Sequence, residues 1–255
     1  MEALISQHLL QICGMALFGA FTFGFGSCSA SAYESDSFTT PSGKKLAVTF
    51  IKHGSLAFDY DGFIIYIDPV SELDGKHFDF KKMPKADAIV IIHDHFDHFD
   101  PQAVALLSKN GTRIITNEST FAKLHRGTVM HNGDSATIAP GIALAAVPAY
   151  NYTEGHTQFH PRGRDNGFVI DFGGMKVLVA ADTEDIPEME ALHGIDIAFL
   201  PVNQPYTMTV AQCVKAAMTI KPKILYPYHY GDTKVEEIAP ALAGTGIDVR
   251  IRQLQ

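Results

Sequence analysis

The sequence predicts an α/β fold in which two sheets pack face to face with helices on the outside. Three observations carry this reading. Apolar or alternating runs of strand length recur along the chain, as at residues 46–53, 89–92 and 177–180. Helices with their own start signals separate groups of strands. The order β-rich, helix, β-rich, helix then gives each sheet a partner and leaves the helices outside.

The N-terminus stands apart. Between Glu2 and Glu34 no side chain is charged, and residues 9–26 are mostly apolar. Small residues come next, Ser27-Cys28-Ser29-Ala30-Ser31-Ala32. This is the pattern of a secretory segment with an Ala30-x-Ala32 cleavage site, although the start lacks Lys and Arg. Cys28 after Gly26-Ser27 reads instead as a lipoprotein signal. A retained membrane anchor is a third reading, since about 18 apolar residues just span a bilayer. A misassigned start codon, with a cytoplasmic body, is the fourth. Export with cleavage or lipidation ranks first. Residues 1–32 are therefore expected to be a signal, 33–45 a polar linker and 46–255 a folded domain in the periplasm or anchored at a membrane.

Residues 46–53 (LAVTFIKH) alternate and are β-branched enough for a strand. Residues 56–58 and 62–67 continue a meander across a turn at Asp59-Tyr60-Asp61-Gly62, and Asp68-Pro69 ends it. Residues 76–87 are polar and loop-like. Asp100 as N-cap and Pro101 at the first helical position start a helix over 101–109. A short strand at 113–116 precedes Asn117, which caps a helix reaching about Arg126. Residues 141–148 form a strand, and 168–172 pairs with 176–180 across Gly173-Gly174. Residues 196–200 are a buried strand. In the helix at 209–220, Val210, Cys213, Val214, Ala217 and Met218 fall on one face, so Cys213 is an inert core residue. Residues 223–227 form a strand, Thr233-x-x-Glu236 a capping box for a last helix, and 249–254 a final strand.

Composition narrows the function. The 255 residues are 46% hydrophobic, enough for a full core, and carry a formal charge of −8. Lysines and arginines form no cluster beyond short pairs, which argues against a nucleic-acid partner and leaves a small-molecule substrate. Of Cys13, Cys28 and Cys213, only the last lies in the body, so no disulfide framework is implied.

The chemistry begins at Ile89-Val90-Ile91-Ile92-His93-Asp94-His95-Phe96-Asp97-His98. Four apolar residues in a row read as a strand buried on both faces. Residues 93–98 then take the form His-x-His-x-Asp-His. Imidazole and carboxylate are donors for zinc, iron or manganese, and this density points to a metal site. A dinuclear site needs more donors, from later strand ends. Asp182 follows an apolar run, and a carboxylate there can bridge two cations. His229 follows a buried strand and a proline. In the loop after residue 147, His160 is favoured over His156, because Pro161 stiffens its return. His53, His77, His125, His131 and His193 are expected to be structural or surface residues.

These residues resemble the metallo-β-lactamase superfamily of metal-dependent hydrolases, and in particular its ascorbate-6-phosphate lactonase-like branch. The carrying motifs are HDHFDH at 93–98, ADT at 181–183 and PYHYGDT at 227–233, with HGS at 53–55 and IDP at 67–69 resembling the branch's opening strands. The resemblance runs from about Leu46 to the end. It implies an αββα sandwich with the site at one edge. It implies His93, His95 and His160 at one metal, Asp97, His98 and His229 at the other, Asp182 between them, and Asp68 supporting from behind. The chain departs from the family pattern at Tyr150-Asn151, where a histidine often stands, so that Asn151 competes with His160 as the third donor. It departs again at Ala181, where a glycine is usual.

The expected mechanism is attack by a water activated between two divalent cations, zinc first and manganese or iron as alternatives, on a carbonyl or phosphoryl centre of a small ester, lactone or phosphoester. Asp97 would hold the second metal and orient the nucleophile or shuttle its proton. There is no Gly-x-Ser-x-Gly elbow. Arg162 and Arg164 are candidates for an anionic substrate group, and Tyr150, Asn151, Tyr206, Tyr228 and Tyr230 for the rim. A di-iron redox protein on the same fold and a non-catalytic metal-binding protein are the competing readings.

Overall fold

The computed structural model describes residues 33–254. The export segment expected at 1–32 lies outside the described residues. Among those described, no helix is long and apolar enough to cross a membrane.

Two seven-stranded sheets form the body, each with its strands side by side in chain order. The first holds β1 (Ser35–Thr39), β2 (Lys45–Lys52), β3 (Ser55–Tyr60) and β4 (Phe63–Ile67) as an antiparallel meander. A small hairpin comes next, β5 (Glu72–Leu73) and β6 (Lys76–His77). The first sheet then turns parallel with β7 (Ala88–Val90), β8 (Arg113–Thr116) and β9 (Thr128–Val129). The second sheet repeats the plan. β10 (Ser135–Ala139), β11 (Ile142–Ala149), β12 (Asp165–Phe172) and β13 (Met175–Val179) are antiparallel, and β14 (Ile197–Pro201), β15 (Ile224–Tyr228) and β16 (Asp248–Val249) add in parallel.

Side-chain alternation explains the layers. Leu46, Val48 and Phe50 of β2, Leu56 and Phe58 of β3, Ile65 and Ile67 of β4, and Ala88 and Val90 of β7 join the core shared with the second sheet. Their neighbours Ile51, Ala57, Tyr66 and Ile89 form a second cluster with Ala103, Val104 and Leu107 of α1 (Pro101–Leu107). A period of two thus puts one face of each strand between the sheets and the other under a helix. The remaining helices are α2 (Glu118–Leu124), α3 (Val210–Ile220) and α4 (Ile238–Ala241). The β12–β13 turn is Gly173-Gly174, with φ of 58° and 92°, which suits glycine and matches the strand twist.

Four expectations are corrected. Residues 33–45 are not a linker: Ser35–Thr39 is an edge strand on β2, and its Asp36 binds Tyr226 and, at 2.7 Å, Arg252. Its polar outward face hid it. The buried stripe of α3 is Cys213, Ala216, Ala217 and Ile220, while Met218 is half exposed. Burial lifts the Cys213 thiol to about 12, so it is inert as expected. Thr233 and Glu236 form no capping box, because a tight turn over Val235–Glu237 precedes α4. The last strand is only Asp248–Val249.

Candidate metal centre

The candidate donors lie in the loops that leave strand ends: His53 after β2, the 93–98 turn after β7, Asp182 after β13 and His229 after β15, with His160 on the longer β11–β12 loop. β7 runs through Ile91 and Ile92 into a tight turn, where the amide N–H groups of His98 and Phe99 both donate to His95 O at 3.1 and 2.9 Å. That turn brings His93, His95, Asp97 and His98 together, and Asp100 then caps α1 through Gln102 N at 2.8 Å. Asp182 follows β13 and His229 follows β15. Asp182 Oδ2 lies 3.8 Å from His93 Nε2, 3.3 Å from His98 Nε2, 3.4 Å from His160 Nε2 and 3.2 Å from His229 Nε2. Three overlapping groups have donors close enough to share a cation: His93 with His95 and His160, His53 with Asp97, His98 and His229, and His93 with His98 and Asp182.

Buried partners behind the donors fix their direction. Asp68 is fully buried and accepts His98 Nδ1 at 2.7 Å and Ile92 N at 2.8 Å. His98 Nε2 is thereby turned toward Asp182. Burial raises the Asp68 carboxyl to about 6 against the opposing pull of His98. Gly54 allows this packing, since a β-carbon there would stand 2.8 Å from His98 Cε1. On the other side Asp165 accepts His160 Nδ1 at 3.2 Å and is itself held by Asn117 Nδ2 at 3.1 Å and Arg164 Nε at 2.8 Å.

The loop carrying His160 is tied down along its length. Its carbonyl accepts Asn151 N at 2.8 Å, and buried Glu184 accepts Tyr152 N and Thr153 N, both at 2.8 Å. His160 therefore enters the cluster. His156 sits 3.4 Å from Glu184 instead, and Asn151 braces the loop by donating to Tyr206 O at 2.7 Å.

The electrostatics suit cations. Burial alone would raise the Asp182 carboxyl, yet His229 and His98 hold it well below the ordinary range. Burial, then the charge of His98, holds His93 well below the usual histidine range, leaving a neutral donor. Both His93 ring nitrogens, Asp182 Oδ1 and His229 Nδ1 are buried without a hydrogen-bond partner. Orphaned polar atoms of this kind are costly unless something else binds them. Nitrogen and carboxylate donors around a shared aspartate fit divalent cations.

The cluster opens on a cavity of about 1020 Å³ whose lining includes His53, His95, Asp97, His160, Asp182, Tyr206 and His229. The structural role expected for His53 is therefore corrected. Its Nε2 lies 3.2 Å from Asp97 Oδ2, and its ring centroid is 3.7 Å from that of His229. Of the rim candidates, Tyr206 is 44% exposed and lines the cavity. Tyr228 is fully buried, with its hydroxyl unpartnered. Tyr230 donates to Arg252 O at 2.6 Å. Tyr150, Asn151 and Arg162 line a separate cavity of about 870 Å³. There Tyr150 Oη and Arg162 both bind Glu188, at 2.8 and 2.6 Å. Arg164 is occupied by Asp165 and Phe159 O.

Comparison with known proteins places this geometry. Residues 47–229 match the β-lactamase superfamily domain. A UPF0173 metal-dependent hydrolase of Archaeoglobus fulgidus is 30% identical over 66% of this chain and 78% of its own length. One of Nanoarchaeum equitans is 28% identical over 76% and 88%. The crystal structure of a presumed metal-dependent hydrolase from Parabacteroides distasonis is 56% identical, covers 88% of this chain and 100% of its own, and superposes with a TM-score of 0.84. The metallo hydrolase Igni18 from Ignicoccus hospitalis is 25% identical over 81% and 94%, with a TM-score of 0.68. The αββα arrangement, the His/Asp cluster and these likenesses agree: the chain belongs to the metallo-β-lactamase superfamily, among the UPF0173 metal-dependent hydrolases.

Proposed function

We propose that this hydrolase acts on a small-molecule ester, lactone or phosphoester with two divalent cations, zinc first, held in the clustered site. His93, His95 and His160 would hold one, His98, His229 and Asp97 the other, and Asp182 both. Bound there, the cations would supply Lewis acidity and an acidified water. The carrying observation is the position of Asp182 Oδ2, 3.4 Å from His160 Nε2 on one side and 3.2 Å from His229 Nε2 on the other.

The chain's own groups do the rest. Asp68 and Asp165 hold the imidazoles of His98 and His160 in one orientation, so ligand geometry is set before substrate arrives. Asp97 is 19% exposed at its side chain and faces the cavity, where it can orient the attacking water and accept its proton. The partly open cavity admits a small molecule and has room for a leaving group.

The test is metal quantification on protein reconstituted with zinc, manganese or iron, with lactone, ester and phosphodiester panels run alongside. Two cations per chain and turnover with a colourless metal are expected. Full activity with one cation would refute the dinuclear reading. An iron-specific absorption spectrum with redox turnover, and no hydrolysis, would favour the di-iron alternative. We also propose export of the body, which cell fractionation would test; a wholly cytoplasmic protein would overturn it.

A further inference from the structure

The metal cavity contains a cation that the hydrolytic machinery does not use. Lys52 ends β2, where a β-bulge after Phe50 turns the strand end. Leu46, Val48 and Phe50 before it are buried apolar residues, and at the next step of that alternation stands an ammonium. The Lys52 side chain is only 7% exposed and lines the cavity. Its ion-pair partner among the described residues is Asp74 Oδ2 at 3.7 Å, a carboxylate 71% exposed on the β5–β6 turn. That separation is too long for a hydrogen bond, so the ammonium at the end of this mostly covered side chain has only weak compensation within the chain. Lys76, across the same turn, lines the same cavity.

Apolar surface meets these cations. Phe96, inside the His-x-His-x-Asp-His turn, is 78% exposed at the cavity mouth. Phe159 and Tyr206 line the same space, with ring centroids 4.9 Å apart at 70°. Phe96, Phe159 and Tyr206 together give the cavity an apolar contact face rimmed by charged groups. The arginines expected to hold an anion, Arg162 and Arg164, are already committed to Glu188 and Asp165. Asp97, Asp182 and Asp232 also line the cavity; the cations would neutralise the first two, which leaves Asp232 as the acidic group that Lys52 and Lys76 outweigh.

We propose that the substrate of this centre is an anionic amphiphile. Its apolar body lies against Phe96, Phe159 and Tyr206. Its carboxylate or phosphate displaces Asp74 from Lys52, with Lys76 adding attraction at the entrance. The inference rests on the hydrolase reading above and specifies its substrate class.

The test separates binding from turnover. The metal-loaded full chain is titrated calorimetrically with adipamate and with its neutral counterpart adipamide. Mono-4-nitrophenyl adipate and 4-nitrophenyl hexanoate serve as the matched esters. Adipamate is expected to bind about tenfold more tightly, in line with a charge-assisted contact. Lys52→Met should remove that preference with metal content unchanged, Lys52→Arg should keep most of it, and Asp74→Asn should keep or strengthen it. Equal binding of the two amides by the wild type, or a preference that survives in Lys52→Met, would overturn the proposal. If the preference holds and neither ester turns over, the anion site stands and the ester-hydrolase reading falls. A phosphonate analogue of adipamate, binding more or less tightly than adipamate, assigns the group as phosphate or carboxylate.

Discussion

Two large cavities among the described residues flank the same loop, and one is built as a reaction centre while the other is not. They are similar in volume, about 1020 and 870 Å³, and both contain tyrosines and charged groups. Around the second cavity the buried and half-buried charges are paired, Arg162 with Glu188 and Asp185 with Lys215 at 2.6 Å and Tyr152 Oη at 2.7 Å, while Glu190 is exposed to water. A single neutral amide oxygen, Asn151 Oδ1, is left over among the described lining residues. At the metal centre His93, Asp182 and His229 leave four buried nitrogen and oxygen atoms unpaired. Unmet donor capacity, more than size or aromatic content, therefore marks the working site.

Backbone strain sharpens the contrast. Of the eight non-glycine residues with positive φ among those described, four are His53, Asp68, Ala181 and His229, all at the centre. The others are turn or helix-cap residues, and none lines the second cavity. Such conformations persist where surrounding structure holds them in place.

The largest expected effect comes from removing the shared carboxylate. Asp182→Ala should lose bound metal and at least about a thousandfold in hydrolysis. Mass-spectrometric metal counts and turnover measure it together; a variant with wild-type metal and rate would remove Asp182 from the centre. The supports behind the donors come next. Asp165→Asn and Asp68→Asn should each weaken metal affinity about ten- to a hundredfold. Competition with a chelator reads this directly. Arg162→Ala, at the second cavity, should leave metal affinity within about twofold.

How much of the site and fold is legible in the sequence depends on range. The 93–98 turn is legible because its donors are neighbours in sequence. Asp182 and His229 are legible because each interrupts an apolar run at its end. His53 is not, since a lone histidine after β2 gains meaning only when β15 brings His229 beside it. Asp165 escapes for a different reason: a carboxylate opening a strand five residues after His160 carries no mark that the turn between them folds back to pair the two. Tyr150 and Arg162 belong to a different cavity from the one expected, because sequence places a residue in a loop without saying which way its side chain turns. The αββα layering is readable from strand order and alternation, whereas β1, whose outward face is polar, is not.

Ala181 tests how the strain is carried. Its φ of 65° favours glycine, yet its methyl is fully buried. Relief of left-handed strain would return about 1–2 kcal/mol, while the lost methyl costs about 0.8 and the looser unfolded chain about 0.4–1. The terms nearly cancel, so Ala181→Gly should fall within about 1 kcal/mol of the wild type. Ala180→Gly, at ordinary φ and also buried, lacks the relief and should lose about 1–2 kcal/mol. Equal losses in urea unfolding would mean that the Ala181 backbone stores no strain.

The smallest effect belongs to the second cavity. Burial would raise the Glu188 carboxyl, but hydrogen bonds from its own backbone N–H and from Tyr150, with the charge of Arg162, hold it below its ordinary value. A carboxylate lowered on folding adds stability above its unfolded pKa, and that stability is lost as pH falls through the folded value. Its side chain is 30% exposed, so screening keeps the contribution small. Glu188→Gln should therefore cost less than about 1 kcal/mol at pH 7, and the difference should close as pH falls below the ordinary carboxylate range. Hydrolysis should stay within twofold, because nothing at Glu188 touches the metal donors. A tenfold fall in rate with metal content intact would instead join the two cavities into one active site, and the contrast between them would fail.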